Sequence, residues 1–135
     1  MLVNADEIVI VAVPDLASLR NTKNMLDMLR AARAHDGHPE LVMNCVGVPK
    51  RPEIGVNDFA KAAGTELAGI IPFQPKLFGL AANNGQMIAE VEAMGKTAGI
   101  IRELSRKLAG RTESRKVKRS LFDPLKARFG RKKAS

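Results

Sequence analysis

The chain has 135 residues, 45% of them hydrophobic, and carries 22 Lys and Arg against 14 Asp and Glu for a net charge of +8. That length supports one domain around one core and is too short for two. Its longest purely apolar run, Ile8 to Val13, falls far below the span of a bilayer, Met1-Leu2-Val3 ahead of Asp6 and Glu7 has no basic secretory start, and the lone Cys45 excludes an internal disulfide. A cytosolic chain is expected.

Glu7-Ile8-Val9-Ile10-Val11-Ala12-Val13 is a β-branched run closed by Pro14, which predicts a strand buried on both faces. Asp15 is placed to cap a following helix in which Leu16, Leu19, Leu26, Leu29 and Ala32 share a face, with Arg20, Lys23, Asp27 and Arg30 largely off it. His35-Asp36-Gly37-His38-Pro39 ends that helix, and Glu40 to Val46 reads as a second buried strand. A polar loop from Gly47 to Gly55 leads to a short helix capped by Asn57 or Asp58, with Phe59, Ala62 and Ala63 inward and Gly64 at its end.

Leu67 to Ile71 is a third strand, stopped by Pro72. The segment from Ile71 to Met87 holds two prolines, two glycines and the adjacent Asn83 and Asn84, and reads as a long connection. Connections of that length in a compact domain are functional or disordered. Phe73 and Phe78 within it argue that it is pinned to a core, as a binding rim. A helix from near Gln86 follows, then a longer one from Gly95 to Leu108 with an apolar stripe of Ile100, Ile101, Leu104 and Leu108.

Strand and helix in strict alternation predict an α/β three-layer sandwich with a parallel sheet and right-handed crossovers. In such sheets ligands sit beyond the carboxyl ends of the strands. Asn44 stands near the end of the second strand and Pro72-Phe73-Gln74 directly follows the third, so both are expected at one edge.

Ala5 to Val11 followed by Pro14-Asp15-Leu16-Ala17-Ser18-Leu19-Arg20-Asn21 resembles the second half of MinD/ParA-type ATPases, the deviant Walker-A branch of P-loop NTPases. The strand containing Asn44, the Ile71-Pro72 turn and the Asn84-Gly85 step fit that half in the same order. Lys50-Arg51-Pro52-Glu53-Ile54 and the run from Leu77 to Glu90 resemble the CpaE (TadZ-like) subgroup, which serves assembly of Flp/Tad-type pili; the resemblance covers roughly residues 4–122. It implies a cytoplasmic protein that binds ATP or ADP with Mg, forms a homodimer around nucleotide at full length, and helps place pilus secretion and assembly proteins, often at a cell pole. By position, Asn44 would contact the adenine, and Pro72, Phe73 and Gln74 would line the base pocket. Family members often carry Asp where Gln74 stands, which puts ribose or base contacts at that position in question.

The family's phosphate loop, signature lysine and Mg-binding acid would lie upstream of Ala5, so the chain is expected to be half of such an ATPase, a shortened gene product or an excised piece, inactive alone. Gly95-Lys96-Thr97 imitates the end of a P-loop, but Glu90 occupies the place of the first glycine and no buried strand precedes it. No Ser/His/Asp or Cys/His arrangement offers catalysis, and His35 and His38 lack a third metal ligand. Cys45 is expected as a small core residue. Asn44 has a second reading as a strand-end residue satisfying loop backbone; Asn83, Asn84 and Gly85 are expected as left-handed turn residues, with contact to a partner subunit as the alternative. Phe73 and Phe78 are read as loop anchors before stacking platforms.

The charge is not spread evenly. Residues 110–135 hold ten Lys and Arg against Glu113 and Asp123, a net +8, while the rest of the chain is balanced. Val117, Leu121, Leu125 and Phe129 recur every four residues beside Phe122, the pattern of a basic amphipathic helix for an anionic membrane surface. Asp123-Pro124 restarts the helix and leaves a short one from about Pro124 to Phe129 on a flexible linker, with solvated disorder as the plain alternative. Nucleic acid ranks below membrane or protein as a partner, because aromatic and basic residues are barely interleaved. The sequence divides as a partial α/β domain at 4–109 and a basic tail at 110–135. Two functions stand: the adenine side of a nucleotide site with protein-contact surfaces, or a non-enzymatic interaction or membrane-docking module acting through the tail.

Overall fold

In a computed structural model, the structure describes residue 5 and residues 7–33 and 38–110. The tail positions Leu121, Phe122, Leu125 and Phe129 and the turn residue His35 lie outside the described residues. The order of elements is β1 (Val9–Ala12), α1 (Leu16–Ala32), β2 (Glu40–Val46), α2 (Val56–Ala63), β3 (Leu67–Pro72), α3 (Pro75–Asn84), α4 (Ile88–Val91) and α5 (Lys96–Leu108). The strands form one parallel sheet in the order β1-β2-β3.

β2 is the central strand, and its Leu41, Val42 and Met43 are all buried, as a strand covered on both faces requires. Because side chains alternate, Leu41 and Met43 face one layer and Val42 the other. On the first face Ile8, Ile10, Ala12, Leu41 and Met43 pack with Leu26 and Leu29 of α1 and Phe59 and Ala63 of α2. On the second, Gly69 sits beside Val42 in register, and the Ile100 side chain of α5 comes within 3.3 Å of where a Cβ on Gly69 would stand. The helices therefore lie on both faces of the sheet.

β1 differs from its expectation of burial on both faces: Val11 is 61% exposed, and the strand alternates instead. The reason is position. β1 is an edge strand, and α5 covers the second face over β3, leaving Val11 bare. Glu40 N–H donates to Ile8 C=O at 2.9 Å. In a parallel ladder alternate residues bond to the same neighbour, so the backbone groups of Val9 and Val11 point out of the sheet.

Asp15 caps α1 as its sequence predicts, with Oδ1 accepting from Ser18 N–H at 2.7 Å. The buried stripe of α1 is Thr22, Leu26 and Leu29, with Leu19 partly buried; Leu16 is 71% exposed and Ala32 is exposed, against expectation. Leu16 is the first helical residue, at the mouth of the strand rather than over the sheet. The cap of α2 is Gly55, not Asn57 or Asp58, since the helix starts at Val56, ahead of that polar pair. Phe59 and Ala63 are inward, whereas Ala62 is exposed.

The largest correction concerns the segment after β3. Residues 75–84 are a helix, α3, not a long irregular connection. Pro75 occupies its first turn, where the missing N–H has no helical partner to lose, and Gly85 ends it at φ +62. Asn83 and Asn84 are helical, so Gly85 alone takes the left-handed conformation expected of the three. The helix expected from Gln86 is a single turn, α4, and α5 begins one residue after its cap, Gly95.

Candidate functional site

At the carboxyl ends of β2 and β3 the chain builds a small cleft of about 230 Å³, lined by Asn44, Cys45, Pro72, Phe73, Gln74, Pro75 and Phe78. All four residues expected at the base pocket, Asn44, Pro72, Phe73 and Gln74, come together there. Val46 pairs with Pro72, and Phe73 N–H donates to Val46 C=O at 2.8 Å, which fixes the two strand ends side by side. Phe73 and Phe78 are each 37% exposed and line the cleft; they are walls of it rather than anchors in the core.

Asn44 and Cys45 mark where β2 breaks from regular pairing, between Met43 and Val46. Asn44 Oδ1 accepts from the Cys45 N–H at 2.8 Å, and Cys45 stands at φ +52. A side chain in that left-handed region is uncommon outside Asn and Asp, and it holds only where neighbours fix it. Here the fixing group is Arg51, whose Nη2 donates to Cys45 C=O at 2.6 Å. Cys45 is partly exposed in the cleft, not a core residue, because the break in pairing turns it out of the strand.

The loop behind the cleft is closed by Glu53. Its carboxylate accepts from Gly47 N–H at 2.9 Å and Val48 N–H at 3.0 Å, and Arg51 Nη2 reaches it at 2.8 Å. These backbone hydrogen bonds, with Arg51 as the smaller contribution, lower the Glu53 pKa below its ordinary value. Ile54 N–H donates to Pro14 C=O at 2.9 Å and ties the loop to the β1–α1 turn. Sequence reasoning missed the support that Arg51 lends Cys45; the local signal is the close spacing of Arg51 and Glu53 on either side of Pro52.

Gln74 precedes α3 at the cap position without capping it. Its Oε1 instead accepts from the Thr97 hydroxyl of α5 at 2.6 Å. Thr97, the last residue of the P-loop look-alike, is thus a buried structural partner of the cleft. Gly95 follows the turn after α4 rather than a strand, and Glu92 Oε2 lies 2.7 Å from where a Cβ on Gly95 would stand. An anion at that helix start would meet a carboxylate, so the tripeptide is unsuited to phosphate.

Three solved structures resemble this chain in fold. The MinD cell division protein of Aquifex aeolicus matches with a TM-score of 0.65 and 26% identity over 81% of this chain and 46% of that one. The fold is a fragment of the MinD/ParA type. The MinC:MinD cell division protein complex of Aquifex aeolicus matches at TM-score 0.64 and 24% identity, over 78% of this chain and 43% of that one. A ParA family ATPase from Chlorobium tepidum TLS gives 0.57 and 20%, over 74% and 40%. The chain thus spans less than half the length of the MinD and ParA structures it matches. No protein-family model and no curated protein sequence matches it. Among the described residues, no helix is long and apolar enough to cross a membrane.

Proposed function

We propose that the chain is the C-terminal part of a Flp/Tad-type pilus assembly protein of the CpaE/TadZ kind, supplying the adenine side of a nucleotide site and surfaces for protein contact. The observation that carries the nucleotide reading is the convergence of Asn44, Pro72, Phe73 and Gln74 on one mainly apolar cleft at the carboxyl ends of adjacent parallel strands. Ligands of open α/β sheets bind in that place, and a flat base between proline and phenylalanine walls with amides at its rim suits the lining. ATP hydrolysis, Mg binding and homodimerisation belong in this reading to the full-length protein. Resemblance of the Lys50–Ile54 and Leu77–Glu90 segments supports the pilus role, with secretion and assembly proteins as partners and a cell pole as the place of action.

Titration of the chain with adenosine, AMP and Mg-ATP by protein-observed NMR tests the reading. Weak binding of all three with similar affinity is expected, with shifts centred on Asn44, Phe73 and Gln74. Asn44→Ala and Phe73→Ala should each weaken it several-fold. Micromolar affinity for ATP over adenosine would overturn the half-site, and shifts confined elsewhere would overturn the cleft.

The concentration of the whole net charge in residues 110–135 favours a second role, docking of Leu121, Phe122, Leu125 and Phe129 on an anionic membrane. Co-sedimentation with anionic vesicles should be lost at high salt and on removal of residues 111–135. Binding that survives the truncation would exclude the tail.

A further inference from the structure

Two amide side chains line the cleft, and the fold occupies the carbonyl oxygen of each: Asn44 Oδ1 with the Cys45 N–H, Gln74 Oε1 with the Thr97 hydroxyl. The second bond joins residues 23 apart in sequence, from the end of β3 to the start of α5. Gln74 stands where a polar side chain commonly turns back onto its own helix, and it makes no such bond. Thr97 is 1% exposed. A hydroxyl so buried is costly unless it is paired, which gives the Thr97–Gln74 contact its hold.

A primary amide has one acceptor oxygen and an NH₂ donor group. With Oε1 drawn to Thr97, Nε2 is turned the other way, and it has no partner among the described residues; the same holds for Asn44 Nδ2. Pro72, Phe73, Pro75 and Phe78 complete an apolar wall.

We propose that Thr97 is a positioning residue that locks the Gln74 carboxamide with its NH₂ offered to the cleft, so that the site selects a flat heteroaromatic ring carrying an unprotonated ring nitrogen at its edge. The inference rests on the base-site reading above and adds the residue that orients the contact and the ligand atom it reads. Without the hydroxyl, the Gln74 amide turns over freely and shows oxygen or nitrogen alike. Contact with the ring faces remains, and selection by the ring nitrogen is lost.

The test uses the 135-residue chain in saturation-transfer NMR titrations with adenosine and its 1-deaza, 3-deaza and 7-deaza analogues, each lacking one ring nitrogen. One analogue is expected to bind about two- to ten-fold more weakly than adenosine, the range that a single neutral hydrogen bond spans. Thr97→Val should level the series while retaining adenosine binding, and Thr97→Ser should restore the discrimination. Should Thr97→Val fail to fold by circular dichroism, Gln74→Met, at a partly exposed position, is expected to level the series in its place. Adenosine binding that is insensitive to every deaza substitution, or discrimination that persists in folded Thr97→Val or in Gln74→Met, overturns the role of Thr97 and leaves the base site standing. Absence of binding by any of the four nucleosides overturns the base site and this proposal together.

Discussion

Arg51 and Glu53 meet at 2.8 Å and divide the work of closing the loop behind the cleft. Glu53 gathers the N–H groups of Gly47 and Val48, while Arg51 reaches the C=O of Cys45. Cys45, in a conformation that few side chains adopt, is thereby held beside Asn44 at the rim of the cleft. The polar loop from Gly47 to Gly55 is thus a brace for the cleft.

Acid should loosen that brace. The Glu53 pKa is lowered in the folded chain, first by the Gly47 and Val48 hydrogen bonds. A depressed folded pKa contributes stability that is fully present above the unfolded value and is lost as pH falls through the folded one. Thermal melts are therefore expected to drop on acidification through and below the ordinary glutamate range. Glu53→Gln should lower Tm slightly at neutral pH and flatten that acid limb; an unchanged limb would place the acid sensitivity elsewhere.

Phe59 is fully buried between α2 and the sheet, against a cluster drawn from all the layers of that face. Phe59→Ala is expected to cost about 3–5 kcal/mol, measurable as a fall in the urea midpoint with little change in slope. A loss below about 1 kcal/mol would mean that the site collapses to fill its cavity.

Gly85 ends α3 at φ +62, and a Cβ there would meet no atom within 4 Å. Only backbone conformation opposes a side chain. Gly85→Ala should therefore destabilise by about 1–2 kcal/mol, and Gly85→Asn by less, because Asn tolerates the left-handed region. Equal losses for the two in chemical denaturation would point to a packing role for this position.

The N-terminus of α1 rests on two hydrogen bonds that meet at Ser18. Asp15 Oδ1 accepts from Ser18 N–H at 2.7 Å, and Ser18 Oγ accepts from Val13 N–H at 3.1 Å. Asp15→Ala should cost about 1 kcal/mol, as loss of a cap does. Hydrogen exchange at Ser18 and Val13 is expected to rise with it, and protection unchanged at both would show the cap to be dispensable.

The chain wrote its strands plainly because their cause is local. The β-branched run into Pro14 marks β1, and Glu40 to Val46 is β2 to the residue. Asp15 before an apolar periodicity set the start of α1 for the same reason, and Pro72 closed β3. Alternation of strand and helix was enough for a parallel sheet, which brings the ends of neighbouring strands together and so put Asn44 near Phe73.

Tertiary structure decided what local pattern leaves open. Val11 looked as buried as Ile10 in sequence, and only the place of β1 at the sheet edge exposes it. Prolines and glycines around Leu77 to Asn84 suggested a loop, yet Pro75 starts a helix and Gly85 stops one, so the same residues serve as boundaries. The hydrogen bond between Gln74 and Thr97 has no trace in spacing, because the contact arises when α5 packs over β3 and carries a buried hydroxyl to the end of the strand. Composition and periodicity settle which segments bury their side chains; the layers that come to lie on one another settle which polar atoms must then find each other.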